Sequence, residues 1–241
     1  MMTGVLRTLL RTAIAAVSAG VFASGPAGAA AGLFVEGSRH IYPAGAQQIS
    51  VQVHNPNDHA VMLQSWIDAG DVDGDPDDAG VPFIVVPPVT RLQPGETRAL
   101  RIIGTAESLP EGRESVFWLN LQMIPPVEEA TGSDVLTVSV RQRQKLFYRP
   151  KGLEQGSKAW IGQLRCVVEP GAPASAACRN DSPYNATIDR LQVDTANGVA
   201  TVPGAMLPPF SSQSFALPEG ARAVHAFVID DRGAVVQASP R

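Results

Sequence analysis

Three aspartates at every second position, Asp71, Asp73 and Asp75, open residues 71–82 in the pattern that begins a calcium-binding loop. Such a loop needs glycine at its sixth position, for a sharp turn, and a bidentate glutamate at its twelfth. Here those positions hold Pro76 and Pro82, so residues 68–79 read as a solvated acidic loop. The four histidines, His40, His54, His59 and His225, form no H-x-x-x-H pair, and no G-x-S-x-G elbow occurs. Zinc-dependent and serine hydrolase chemistry therefore lack the residues they need. The two cysteines, Cys166 and Cys178, have eleven residues between them. The remaining groups able to do chemistry are cations: Arg141, Arg143 and Lys145 alternate ahead of Phe147-Tyr148-Arg149-Pro150, and Arg39 stands alone among strand formers.

Those cations need strands to hold them. Residues 134–150 read DVLTVSVRQRQKLFYRP; Leu136, Val138 and Val140 fall on one face of an extended strand, and Val135, Thr137, Ser139 and Arg141 on the other. Pro150 stops the strand, because proline cannot donate to a ladder. Residues 48–54 alternate too, Asn55-Pro56-Asn57-Asp58 turns the chain, and residues 60–67 read as the partner strand with Trp66 pointing inward. Residues 83–86 form a short strand ending at Pro87-Pro88, and a turn over 91–95 feeds a strand over 97–103. After Gly112, Val116 and Trp118 alternate with Phe117, Leu119 and Leu121, so that strand is apolar on both faces.

Residues 151–157 are linker-like. Seven short strand runs follow, at 160–168, 176–180, 186–193, 199–202, 212–217, 221–229 and 234–238. No amphipathic helical stripe exceeds about two turns. The class is all-β, and the length fits two sandwiches of about 100 residues each.

The first residues read as a secretory signal peptide: Arg7 and Arg11 precede an apolar run over 12–23, and Ala27-Gly28-Ala29 fits a small-x-small cleavage site. A run of about a dozen residues is short of the twenty or so that a spanning helix needs. Removing residues 1–29 takes away two of 19 basic residues and none of 23 acidic ones, leaving 17 against 23 and a net charge of −6. That balance argues against nucleic acid or an anionic membrane as the main partner. Export puts Cys166 and Cys178 in an oxidising compartment, where a bridge across a hairpin is expected, worth about 3 kcal/mol in the loop-entropy model. The organisation is signal peptide 1–29, N-terminal domain 30–150, linker 151–157 and C-terminal domain 158–241.

In these residues the chain resembles the periplasmic chaperones of the chaperone/usher pilus pathway, the PapD-like family. The resemblance spans essentially the whole mature chain. Its most specific piece is LPEGRESVFWLNLQMIPP at 109–126, in which Gly112 stands where the family usually has Asp, Asn or Ser. Further matches are PPVTRLQPG at 87–95, QKLFYRP at 144–150, NDSPY at 180–184 and IDDRG at 229–233. The C-terminal half matches less well, and Cys166 and Cys178 are not at a position common to the family. The implied fold is two immunoglobulin-like β-sandwich domains set at an angle with a cleft between them. The implied function is that of a non-enzymatic periplasmic chaperone, without cofactor or metal, that binds and folds pilus subunits and delivers them to an outer-membrane usher.

The resemblance also implies roles. Arg39 and Lys145 match the pair that anchors the subunit's C-terminal carboxylate in the interdomain cleft; a carboxylate leaving water needs such charge-assisted partners. Leu136, Val138 and Val140 match the alternating residues donated to the subunit's incomplete sandwich. Glu114, Arg149 and Asp231 match an interdomain charge network. The short span 125–133 resembles the short-loop type, whose members usually assemble rod-like or composite pili. An uncapped donor strand is an aggregation hazard, which makes self-capping as a homodimer an expectation for the free state. The alternative is an exported two-domain sandwich that binds an unknown ligand in the manner of an adhesin. A pilus subunit itself would be one domain ending in an alternating strand with a penultimate aromatic, whereas this sequence closes on VVQASPR after two.

Overall fold

The computed structural model of the protein describes residues 32–74, 80–105, 109–126, 138–169, 171 and 173–238. The first nine strands are β1 (Phe34–Val35), β2 (Arg39–Pro43), β3 (Gln48–His54), β4 (Val61–Asp68), β5 (Phe83–Val86), β6 (Val89–Leu92), β7 (Thr97–Gly104), β8 (Ser115–Ile124) and β9 (Val140–Arg149). Period-two alternation builds them into a sandwich. β3 buries Val51 and Val53 and exposes Ser50 and Gln52, while β7 buries Leu100 and Ile102 and exposes Ala99 and Arg101. One sheet has the order β1-β3-β7-β5 and the other β2-β9-β8-β4-β6. The chain changes sheets between β1 and β2, and β2 then runs parallel to β9; every other strand pair among the described residues is antiparallel.

Leu63, Leu92, Leu100, Ile102, Leu119, Leu121 and Leu146 fill the core between these sheets. At one end the rings of Tyr42, Phe83 and Phe117 stack in sequence edge to face, with centroids 5.1 Å apart in each step, a geometry worth about 1 kcal/mol per pair beyond buried area. Trp66 departs from its expected inward position. It is buried but outside the core, on the other face of β4, where the guanidinium of Arg141 lies 5.8 Å from its ring. A long cationic side chain can cover an aromatic ring as well as a second sheet can.

The second sandwich holds β10 (Leu164–Glu169), β11 (Ser175–Asn180), β12 (Ala186–Thr195), β13 (Gly198–Pro203), β14 (Met206–Leu207), β15 (Ser211–Ala216), β16 (Ala221–Ile229) and β17 (Val235–Gln237). A sheet ordered β10-β11-β15 faces one ordered β13-β12-β16-β17, with β14 also pairing β12. Residues 160–163, expected as the start of a strand, instead close a helical turn, α1 (Ser157–Trp160), that drops Trp160 into the second core. Cys166 and Cys178 sit directly opposite one another on β10 and β11 and form a disulfide.

One device recurs in both sandwiches. The fully buried Asn55 donates its amide to the carbonyls of His59, Leu92 and Gln93 and accepts from Asn57. The equally buried Asn180 donates to Tyr184, Leu207 and Pro208 and accepts from Ser182. In each case one amide satisfies carbonyls that a chain leaving its ladder would otherwise bury unpaired.

Candidate functional site

β9 sorts its side chains by parity. Val140, Leu146 and Tyr148 pack against the first core, so Arg141, Arg143, Lys145, Phe147 and Arg149 stand on the opposite face of the sheet. The parallel register of β2 puts Arg39 opposite Lys145, and the antiparallel register of β8 puts Trp118 on the other flank. Both cations are half-buried. Arg39 lies 5.7 Å over the ring of Phe147 and donates from Nη1 to the carbonyl of Ile229, at the end of β16, at 3.0 Å. Its Nε is buried and has no hydrogen-bond acceptor. Among the described residues no carboxylate forms an ion pair with either cation. The pKa of Lys145 is accordingly lowered, first by desolvation and then by the charge of Arg39. Burial lowers Arg39 too, against the opposing pull of Asp231, Asp230 and Glu114.

The backbone edge of β9 next to this pair is unpaired among the described residues, while the side chains of Gln142 and Gln144 donate to the carbonyls of Leu33 and Gly37. β2 covers only residues 145–149 of β9, and among the described residues no strand pairs with residues 140–144 on that side. The outer face alongside carries Arg141, exposed, and Arg143, whose Nη2 donates to Asp68 at 2.7 Å and whose guanidinium lies 5.7 Å over Trp118.

Four residues beyond Lys145 the same strand presents the opposite arrangement. Arg149 donates from Nε and Nη2 to Oε1 of Glu114 at 3.0 and 2.8 Å, and from Nη1 and Nη2 to the two oxygens of Asp231 at 2.8 and 3.1 Å. Glu114 is 4% exposed and Arg149 8%. The second oxygen of Glu114 accepts from the backbone N–H of Asn185 at 2.9 Å and from its side-chain amide. Asp231 also accepts from the N–H of Ser157. The cluster thus ties β8 and β9 of the first sandwich to the 183–185 and 230–233 turns of the second. Burial alone would lower the pKa of Arg149; hydrogen bonds and charge from Asp231 and Glu114 outweigh it and raise the net value.

Residues 32–154 match the family model described as a pili and flagellar-assembly chaperone, PapD N-terminal domain, and residues 159–240 match the pili assembly chaperone PapD, C-terminal domain. The chain belongs to the PapD-like family of pilus-assembly chaperones. Its relatives include the chaperone protein FimB/FhaD of Bordetella pertussis, 36% identical over 231 residues that cover 93% of this chain and 94% of that one. Among solved structures the Pseudomonas aeruginosa CupB2 chaperone superposes with a TM-score of 0.73 at 31% identity, over 86% of this chain and all of that one. The SafB chaperone of Salmonella enterica, solved in complex with the SafA pilin, matches with a TM-score of 0.70 at 26% identity over 85% and 93% of the two chains. As a member of a family of pilus chaperones the protein is not an enzyme.

On this PapD-like chaperone, Val138 is 53% exposed ahead of β9, and Val140, the first residue of β9, turns towards the first core. Leu136 lies outside the described residues, as do Asp75 and the rest of the acidic loop to residue 79. Asp68 is taken up by Arg143, and no group of three or more His, Cys, Asp or Glu side chains is placed to hold a metal among the described residues. The disulfide belongs to the core of the second sandwich. Two contributors escaped sequence reasoning. Asn185 directly follows the matched NDSPY run, and its signal was that adjacency. Gly156 has φ +56°, and a Cβ there would run into Asp231 and Arg149; a glycine in a linker gave no such signal.

Proposed function

We propose that this pilus-assembly chaperone works in the periplasm, after loss of residues 1–29, by gripping the C-terminal carboxylate of a pilus subunit with Arg39 and Lys145. The strand carrying Leu136, Val138 and Val140 is then donated to the subunit's incomplete sandwich, and the complex is delivered to an outer-membrane usher. One observation carries the reading: two half-buried cations stand in register beside an unpaired strand edge, neither in an ion pair with a carboxylate among the described residues, and one has a buried N–H without an acceptor there. Buried cations are ordinarily paired, so a partner from outside the chain supplies what the chain does not.

The unpaired edge explains orientation. β2 fills the slot opposite Lys145, so a strand whose terminal carboxylate reaches Lys145 lies along residues 140–144 with its end towards β2. It therefore runs parallel to β9. Backbone hydrogen bonds provide affinity, and the anchored terminus sets the register, since a slip of one residue would turn every side chain to the other face. Arg149, Glu114 and Asp231 hold the two domains in the relation that keeps Arg39 against Ile229. Free chaperone caps its exposed strand by pairing with a second copy.

Co-purification from the periplasm with candidate pilus subunits tests this. Wild type recovers a small β-rich subunit one to one, and Lys145→Ala and Arg39→Ala lose it. Retention of the subunit by both variants would refute the anchor, and failure of wild type to recover any subunit would refute subunit capture itself.

A further inference from the structure

The outer face of the β2-β9-β8-β4 sheet is basic in a chain whose net charge is −4. In register across it lie Arg39, Lys145, Trp118 and Asp68, then Arg143, Asn120 and Trp66, then Arg141, Gln122 and Gln64. Four cations share those three rows with one acid, and Asp68 is already committed to Arg143 and to the amide of Asn120. Arg141 is the exposed member. It rests on Trp66, donates to the carbonyl of Val72, and has no ion-pair partner among the described residues.

We propose that Arg141 reads an acidic side chain two residues before the subunit's C-terminus, so that the chaperone prefers subunits whose terminal strand carries a carboxylate there. The proposal rests on the carboxylate anchor at Arg39 and Lys145. Because Arg39 fills the slot opposite Lys145, the last free slot on the outer face is opposite Arg143. The terminal residue takes it, with its carboxylate projecting towards the anchor. Side chains alternate along a strand, so the residue two before the terminus shares the outer face and lies opposite Arg141. The residues one and three before the terminus turn to the other face. A carboxylate opposite Arg141 is a cross-strand ion pair at a wet edge, which sets the expected gain at about two- to fivefold in affinity.

The test uses full-length mature chaperone and synthetic peptides of alternating apolar and polar residues with a free terminal carboxylate. A single Glu is placed one, two or three residues before the terminus, and each peptide is paired with its Gln counterpart. At low salt the Glu peptide binds about two- to fivefold tighter than the Gln peptide only when the substitution is two before the terminus. That ratio falls to one in Arg141→Gln and shrinks above about 0.3 M salt as the charges are screened. Equal binding of Glu and Gln peptides at that position, or a ratio that survives in Arg141→Gln, overturns the proposal while leaving the anchor standing if amidation of the terminus still abolishes binding. If amidated peptides bind as well as free ones, the anchor fails and the register argument fails with it.

Discussion

Lys145 and Arg149 are both cations on one face of one strand, four residues apart, and they have opposite fates. Arg149 meets two carboxylates with four hydrogen bonds and has its pKa raised; Lys145 meets another cation and an aromatic flank, and has its pKa lowered. A fork of donors matched bidentately by carboxylates is structure that the chain completes by itself. A half-buried point charge left beside a like charge is costly in the free chain, and its retention makes sense as a binding site. The first ties the two sandwiches together; the second is where we propose that a subunit's carboxylate binds.

The largest break in that comparison comes at Arg149. Arg149→Ala leaves Glu114, 4% exposed, without its cation, and loss of one partner of a buried pair typically costs about 3–5 kcal/mol. The urea midpoint should fall accordingly, and a fall under about 1 kcal/mol would mean that the cluster is looser than its distances imply. Gly156→Ala acts on the same cluster from outside: the new methyl group has a left-handed φ of +56° to tolerate and presses on Asp231 and Arg149. The expected loss is about 1–3 kcal/mol, and the double variant with Arg149→Ala should lose less than the sum, because the two share partners.

How far this contrast was legible in the sequence differs between its halves. The alternation at 48–54 and 97–103 was enough for β3 and β7, because a half-buried strand writes its two faces directly into residue order. Residues 160–163 misled, since Trp160 and Ile161 favour strands and only the second core makes their helical turn worthwhile. Trp66 looked like core because its cover, Arg141, lies far along the chain. Likewise Arg39 becomes a candidate site residue only through parallel pairing with Lys145, more than 100 positions away, which no local pattern encodes; the family resemblance was what brought the two together. That Arg149 would be satisfied and Lys145 not depends on Asp231 and Asn185 folding back from the other domain, and single-sequence spacing is silent on that.

Lys145→Met should cost no stability, and near neutral pH it should raise it, because the replacement removes a charge that the free chain desolvates without an anion. A loss comparable to that of Arg149→Ala would show that Lys145 has a structural partner after all. Equilibrium unfolding of wild type and Lys145→Met side by side decides the matter.

The smallest effect separates the two residues by pH. The folded-state pKa of Lys145 lies below its unfolded value, so at neutral pH both states carry the proton and the full penalty of burying it is present. As pH rises through the folded pKa the native lysine sheds its proton before the unfolded one does, and wild type gains stability relative to Lys145→Met until the ordinary lysine value is passed. The gain stays under about 1 kcal/mol because the side chain is only half-buried. Arg149, with its pKa raised, contributes no such slope. Saturation with a carboxylate-terminated peptide should abolish the slope at Lys145, since a bound anion gives Lys145 the kind of partner that Arg149 already has; a slope unchanged by the peptide would place the carboxylate elsewhere.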